Sequence, residues 1–242
     1  PVVVGGGDGP MAAVGAGIIS ASDGAYVCMG SSSWVSISAN QPLHDPAMRS
    51  MTFNHVVPGA YVPTATMQAG GASLQWITET LIPDPDPNRY KILLAEAENV
   101  RAADDGLFFL PRFMGERAPY WNPEASGVFM GLGKHHNRGH LVRALLEGVA
   151  FNLQTCINAF SENGTVIDRV DVIGGGAGSG LWLQIFADVW GIKVRSRSIV
   201  EEANSLGAAV TTLVGLGKAK YEIAKELSTI TAEFTPSLDN HK

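Results

Sequence analysis

One aspartate near the start of the chain stands where a carboxylate can take part in chemistry. Asp8 lies in the run GGGDGP, between a β-branched run at residues 2–4 and a helix of small residues. Glycines let backbone N–H groups approach a ligand closely, and the amino terminus of a helix favours negative charge. A carboxylate held there can accept the proton of an attacking hydroxyl group. By itself, Asp8 can equally serve as the N-cap of the helix.

Glycine-rich turns follow predicted strands at residues 5–9, 30–33 and 174–180. Successive backbone N–H groups in such turns form concave sites for anions. Any one of them is typical of an ordinary tight turn, but three in one α/β chain favour a polyphosphate ligand. The serines of GSSSW, between two predicted strands, can hold phosphates from a hairpin.

Two other nucleotide-binding motifs do not fit these turns. A P-loop requires a lysine after its last glycine, and no lysine follows any of the three. The run GGGAGSG has Ser179 where the dinucleotide fingerprint requires glycine, and position 195, where an acidic residue is expected, is Arg. An NAD-dependent dehydrogenase therefore remains only as an alternative, which an NAD-binding measurement would test.

A histidine pair and an adjacent acid–base pair are weaker candidates. His136 and His140 have the i, i+4 spacing of zinc ligands, but no third ligand is placed nearby, so we expect a solvated helix start and no metal site. Glu116 and Arg117 can form a structural ion pair or line a cleft. We expect Trp76, Trp182 and Trp190 to pack in the core from their helices.

Strands and helices alternate along much of the chain, which predicts an α/β fold with helices on the faces of a central sheet. Predicted strands cover residues 25–30, 34–38, 107–110, 167–173 and 192–197, and predicted helices cover 10–20, 70–81, 89–103, 137–161, 181–190 and 201–217. Asn137 is the expected N-cap of the longest helix. Residues 40–66, with four prolines, and the run PDPDPN (83–88) are expected to be irregular.

Composition narrows the class of protein. The chain has 242 residues and a net charge of −6, and it has no basic stripe and no long apolar run, so we expect neither a nucleic-acid nor a membrane partner. Cys28 and Cys156 lie in apolar segments, which predicts two free thiols in a cytoplasmic protein. Because the chain opens in a strand-like run without a leader, we expect it to be part of a longer protein.

Taken together, these motifs resemble the carboxyl-terminal domain of the FGGY carbohydrate kinases, most closely the xylulokinase branch. The resemblance covers essentially the whole chain, and its Asp turn and the segment at 127–148, which fits the second family signature, are its specific parts. The matching stretches are GGGDGPMAAVGAG (5–17), GSSSW (30–34), GGASLQW (70–76), MGERAPYWNPEASGVFMGL (114–132), IGGGAGSGLWLQIFADV (173–189) and EEANSLGAAV (201–210).

The resemblance implies an actin-like (ribonuclease H-like) ATPase domain that spans residues 1–242. It implies ATP-dependent phosphorylation of a sugar or polyol, D-xylulose or a related ketopentose, with Mg²⁺ on the phosphates. Asp8 matches the general base of the family. The matched ATP contacts are Gly30, Ser31, Gly71, Gly176 and Gly180, with Ser179 as a helix cap. Gly9 is on the sugar side, where relatives commonly carry an amide, and this leaves the identity of the sugar open.

The resemblance also implies a partner. An amino-terminal domain outside this chain would supply the first phosphate loop, the aspartate on the metal side and most sugar contacts, so we expect the chain alone to be inactive. Apolar surface that such a domain would cover can also make the chain a homo-oligomer. A non-catalytic actin-like module that binds a nucleotide or sugar, or that serves assembly, is the alternative. Asp8 argues against it, because a sensor needs no base.

Overall fold

The structure is a computed structural model that describes residues 1–103, 106–118, 120–237 and 239–240. Its strands are β1 (Ala25–Met29), β2 (Ser33–Ile37), β3 (Met51–Asn54), β4 (Tyr61–Met67), β5 (Phe108–Leu110), β6 (Val128–Met130), β7 (Arg169–Ile173), β8 (Lys193–Arg197) and β9 (Ile230–Phe234). Its helices are α1 (Asp8–Gly15), α2 (Gly71–Leu81), α3 (Arg89–Glu98), α4 (Arg138–Ser161), α5 (Gly180–Trp190), α6 (Ala203–Gly215) and α7 (Ile223–Leu227).

A seven-stranded mixed sheet forms the centre of the molecule, in the order β3-β4-β2-β1-β7-β8-β9. Strands β1, β7 and β8 are parallel, and antiparallel strands extend the sheet on both sides. Cys28 of β1 pairs with Ile173 of β7, so these two strands end side by side at their carboxyl ends. Both strands then enter glycine-rich turns, and the turns therefore lie at one edge of the sheet. Strands β5 and β6 form a separate hairpin.

Helices cover both faces of this sheet. Helices α1 and α6 pack against one face through small residues, and Ala12, Ala13 and Ala203 belong to one buried cluster with Tyr26. Helices α2, α3, α4 and α5 supply the larger core on the other face. The expected central mixed sheet flanked by helices is confirmed. The predicted cap of α4 is also confirmed, since the Asn137 side chain accepts a hydrogen bond from Gly139 N at 2.9 Å.

The prediction that residues 40–66 are irregular is wrong, because β3 and most of β4 lie in this stretch. Strand β4 includes Pro63, which normally argues against a sheet interior. The sheet accommodates Pro63 through a gap in the backbone hydrogen bonds between β2 and β4. Residues 64–67 of β4 pair with residues 33–36 of β2, and Ala39 and Tyr61 then exchange two backbone hydrogen bonds of 2.9 and 2.8 Å. Pro63, which has no N–H to donate, lies between these two paired regions.

Other boundaries differ from the sequence-based predictions. The helix predicted over 89–103 ends at Glu98. The buried strand expected after residue 106 is a three-residue strand in which only Phe109 is buried, because β5 belongs to the separate hairpin. The turn predicted before this strand includes Asp104 and Asp105, which lie outside the described residues. Both cysteines are free, as expected.

Across the described ranges, no helix combines the length and the apolarity that crossing a lipid bilayer requires.

Candidate nucleotide-binding site

A cavity of about 510 Å³ opens at the edge where β1 and β7 end. Four of the five residues predicted to bind a nucleotide line it together: Gly30, Ser31, Gly71 and Gly176. Its other lining residues are Met29, Leu74, Gln75, Tyr90, Leu94, Gly175, Gly178, Ser179 and Trp182. The cavity therefore has a backbone-rich side formed by turns and an apolar side formed by helices, which is the usual character of a cofactor site.

The hairpin between β1 and β2 docks directly onto the amino terminus of α2. Gly71 N donates to Gly30 O at 2.8 Å, and Ala72 N donates to Ser31 O at 3.1 Å. A Cβ at Gly71 would lie 2.5 Å from Gly30 O, so only glycine permits this approach. The contact fixes the exposed Ser31 beside the start of a helix, where the helix dipole favours an anion.

The third glycine turn closes the cavity on the side of β7. Residues 175–178 form one turn of 3₁₀-helix, which contains Gly176. The Ser179 hydroxyl then accepts a hydrogen bond from Trp182 N at 3.3 Å, so Ser179 is the N-cap of α5. Gly180 begins α5 and does not line the cavity, although its neighbour Ser179 does. The geometry therefore brings Ser179 into the cavity in place of the predicted Gly180.

Asp8 lies on the other side of the same sheet edge, as the first residue of α1. Gly7 is the N-cap. The exposed Asp8 carboxylate accepts a hydrogen bond from Gly9 N at 2.9 Å. Asp8 is thus in the first turn and is not the capping residue that the alternative interpretation required. It is not among the residues that line the cavity.

Two aromatic side chains fix the turn that carries Asp8. The Tyr26 hydroxyl donates to Gly9 O at 2.7 Å and accepts from Trp34 Nε1 at 3.1 Å. Tyr26 and Trp34 belong to β1 and β2, the two strands that the Gly30 hairpin joins. Burial, with a smaller contribution from the Asp8 charge, raises the pKa of the Cys28 thiol to about 12. The Tyr26 and Trp34 hydrogen bonds thus tie the turn that carries Asp8 to β1 and β2.

Sequence reasoning did not identify the apolar wall of the cavity. Tyr90 and Leu94 reach it from α3, and Trp182 reaches it from α5 while its indole Nε1 donates to Leu146 O at 3.2 Å. The i, i+4 spacing of Tyr90 and Leu94 is a signal that both lie on one helix face. Nothing in the sequence indicates that this face lies across from the glycine turns.

The weaker candidates have structural roles. Glu116 is buried and does not pair with the Arg117 guanidinium, so the predicted ion pair is wrong. Its carboxylate accepts from Gln68 N at 2.8 Å, from Arg117 N at 2.9 Å and from Asn152 Nδ2 at 2.9 Å. These three donors satisfy the carboxylate and join the loop before β6 to β4 and α4.

The histidines and one tryptophan also belong to the scaffold. His140 completes the capping box of α4, and His136 Nδ1 accepts from Gly133 N at 2.8 Å. In the part of the chain that the structure describes, no three His, Cys, Asp or Glu side chains are grouped to hold a metal ion. Trp182 and Trp190 are buried as expected, but Trp76 is 40% exposed. It covers Phe109 and Phe113 from outside the core.

Comparisons with known proteins give the family of this chain. Residues 25–216 match the model of the FGGY family of carbohydrate kinases, C-terminal domain. The chain is 30% identical over 243 residues to a xylulose kinase of Staphylococcus epidermidis, covering 99% of this chain and 48% of the relative. It is 33% identical over 261 residues to a gluconokinase of Bacillus licheniformis, covering 100% of this chain and 48% of the relative.

A solved structure shares the fold. The crystal structure of xylulose kinase from Rhodospirillum rubrum superposes with a TM-score of 0.85 at 31% identity, covering 96% of this chain and 46% of that one. The expected actin-like α/β fold is thereby confirmed. The chain spans about half the length of the relatives that it matches. On the family match and on this shared fold, the chain belongs to the FGGY family of carbohydrate kinases.

Proposed function

We propose that this chain is the nucleotide-binding half of a kinase that transfers the γ-phosphoryl group of ATP to a sugar hydroxyl. The observation that carries the proposal is the convergence of Gly30, Ser31, Gly71 and Gly176 on one cavity at the carboxyl ends of β1 and β7. Ligands of open α/β sheets commonly bind at this edge. These four residues come from three separate turns, and the family resemblance implies an ATP contact for each of them.

The two sides of the cavity suit the two parts of ATP. The apolar side, with Leu74, Leu94 and Trp182, offers surface for the adenine base, and the Gly30–Ser31 hairpin offers backbone N–H groups and a hydroxyl for phosphates. A volume of about 510 Å³ is in the usual range for such a ligand. Mg²⁺, when bound, would neutralise charge on the phosphates. Because Mg²⁺ keeps several waters and few protein ligands, the phosphates would hold most of it.

Asp8 is the general base in this proposal. It is exposed at the start of α1, and the Tyr26 hydrogen bond to Gly9 O fixes the adjacent residue, so Asp8 can face a hydroxyl group outside the domain. Phosphoryl transfer depends mainly on positioning and charge stabilisation, and a carboxylate that accepts the hydroxyl proton completes that set. Gly9, next to it, would leave extra space on the sugar side.

The substrate we propose is D-xylulose or a related ketopentose. Similarity to kinases of xylulose and of gluconate supports a sugar or polyol and does not by itself distinguish them. We also propose that an amino-terminal domain completes the cleft, with the remaining phosphate and sugar contacts. The chain by itself should then show little sugar-dependent release of ADP.

The experiment is a comparison of Asp8→Asn with the unmodified kinase of full family length. Sugar-dependent ADP formation is measured with xylulose, gluconate and glycerol, and ATP affinity is measured by calorimetry. We expect kcat to fall roughly 10²–10⁴-fold while ATP affinity changes less than about twofold, since the base acts on the hydroxyl proton. Asp84→Asn, at an exposed loop carboxylate, is the matched control and should retain kcat. Unchanged kcat in the Asp8 variant would remove this residue from the reaction.

A further inference from the structure

A second cavity, of about 340 Å³, lies on the α1 face of the sheet and shares no lining residue with the proposed nucleotide site. Four basic side chains line it: Arg169, Arg195, Arg197 and Lys225. In a chain of net charge −6 with 17 lysines and arginines, this is an unusual concentration of positive charge. The other lining residues are Gly17, Asp23, Ser228, Thr229 and Ile230.

The buried charged side chains beneath this cavity carry a net positive charge. Asp171 is fully buried and accepts hydrogen bonds from Arg195 Nε at 2.5 Å and Arg197 Nε at 2.6 Å. Two guanidinium groups, whose side chains are only 15% and 6% exposed, therefore share one carboxylate. An excess positive charge in so little solvent is unfavourable unless an anion or a dipole offsets it. Arg197 lies against Gly17, just after the end of α1, but a helix end supplies only about half a negative charge.

The remaining acids around the cavity are already engaged. Lys225 Nζ pairs with Asp23 Oδ1 at 2.5 Å, and Arg169 pairs with the exposed Asp168 at 2.9 Å. With Asp171, there are three carboxylates for the four basic side chains that line the cavity. In the described ranges, the two terminal nitrogens of Arg195 donate to no protein atom, since its hydrogen bond to Asp171 uses Nε. Arg195 thus presents the planar end of its guanidinium group, which matches two oxygens of a tetrahedral anion.

A buried hydroxyl gives an independent indication of a ligand. Ser228 is fully buried and lines this cavity, and no described residue forms a hydrogen bond with its Oγ. Its carbonyl oxygen accepts a hydrogen bond from Arg197 Nη1, so the residue is fixed in place. Buried hydroxyl groups are normally paired, and an unpaired one is consistent with a missing acceptor.

We propose that this cavity is a second anion site, which binds the phosphoryl group of inorganic phosphate or of a small phosphate ester. Arg195 supplies the paired donors, the Ser228 hydroxyl supplies a third, and Lys225 and Arg169 supply charge at the rim. The site stands on the sheet face opposite α4 and α5, and it does not depend on the proposed kinase reaction. Occupancy would join β8 to the segment after α7 through the anion.

Calorimetric titration of the chain with inorganic phosphate tests this site, with glycerol 3-phosphate as the ester and chloride at equal ionic strength as the control. We expect saturable binding of phosphate or the ester, and no binding isotherm with chloride. The tighter of the two ligands identifies the source of the phosphoryl group. Arg195→Gln should weaken binding about tenfold or more, since it removes charge-assisted hydrogen bonds. Ser228→Ala should weaken it a fewfold, and Arg138→Gln, at an exposed arginine paired with Glu96, should leave it unchanged.

Binding at the nucleotide cavity is a separate possibility that one more variant distinguishes. Gly178 lines that cavity and has room for a Cβ, so Gly178→Leu should fill it without disturbing the anion site. Retained phosphate binding in this variant supports the proposal. The proposal is overturned if phosphate does not bind saturably, if the Gly178 variant abolishes binding, or if a folded Arg195 variant, verified by its thermal unfolding, binds as well as the parent chain.

Discussion

Side chains around the proposed active site differ in how far their roles could be predicted from the sequence. The exposed position of Asp8 agrees with its place in a glycine run, but the strand expected before that run, at residues 2–4, is not formed, and α1 is the first element of the structure. The exclusion of Gly180 from the cavity could not be predicted, since the sequence does not show which residues of the turn face the cavity. Two of the three donors to Glu116, Gln68 N and Asn152 Nδ2, are distant in sequence, so these contacts have no local signal. Trp76 packs on Phe109 and Phe113 at the margin of the main core and therefore keeps one side exposed.

Asp45 gives a prediction about stability and pH. Its buried carboxylate accepts from Arg49 Nε at 2.9 Å and from Asn163 Nδ2 at 3.1 Å, and hydrogen bonds from the Arg49 side chain hold the pKa of Asp45 well below its ordinary value of 3.8. A carboxylate with a lowered folded-state pKa contributes stability above its unfolded-state pKa and loses that contribution as the pH falls below it. We expect Asp45→Asn to lower the free energy of unfolding by about 2 kcal/mol at neutral pH.

Urea denaturation at a series of pH values measures this contribution. The difference between the parent chain and Asp45→Asn should be constant from neutral pH down to about pH 5 and should then shrink steadily toward pH 2. A difference that does not change over that range would show that the ionised carboxylate has no part in it. Asp84→Asn, in the exposed loop, should match the parent chain throughout.

Helices α1 and α6 pack unusually closely, and this contact holds the helix that begins with Asp8. A Cβ at Gly207 of α6 would lie 1.9 Å from Met11 O of α1. The sequence predicts both helices from their small residues and periodicity. It does not predict that they touch, because they are almost two hundred positions apart. Strands β3 and β4 were missed for a related reason: prolines weaken the local strand pattern, and pairing with β2 overrides it.

Gly207→Ala should therefore separate the two helices. Overpacking of this kind commonly costs about 1–3 kcal/mol, and the backbone contact here leaves little room for adjustment. We expect the unfolding midpoint in urea to fall accordingly. Ala208→Ser, at the exposed neighbouring position, is the matched control and should change stability by less than about 0.5 kcal/mol. A Gly207 variant as stable as this control would mean that α1 can move freely on α6.

At the scale of the whole molecule, one sheet carries two differently specialised faces. The face with α2, α3, α4 and α5 supplies the large core and the apolar wall of the cavity, and the face with α1 and α6 carries Asp8. The nucleotide cavity lies at the carboxyl ends of β1 and β7, and Asp8 lies on the opposite face of this same edge. Alternating strands and helices predict this layered arrangement, and the three glycine turns predict its functional edge. The docking of α3 across from the turns requires the folded structure.

Calorimetric titration of ATP into the 242-residue chain is the sharpest test of the nucleotide site, because Gly30, Ser31, Gly71 and Gly176 are all within this chain. We predict saturable binding of one ATP per chain. We also predict that Gly178→Leu, whose side chain would occupy the cavity, weakens binding at least about tenfold at an unchanged unfolding temperature. Ala209→Leu, on the exposed side of α6, should bind as the parent chain does. No saturable ATP binding, or full affinity in a folded Gly178→Leu chain, would contradict the assignment of this cavity as the nucleotide site.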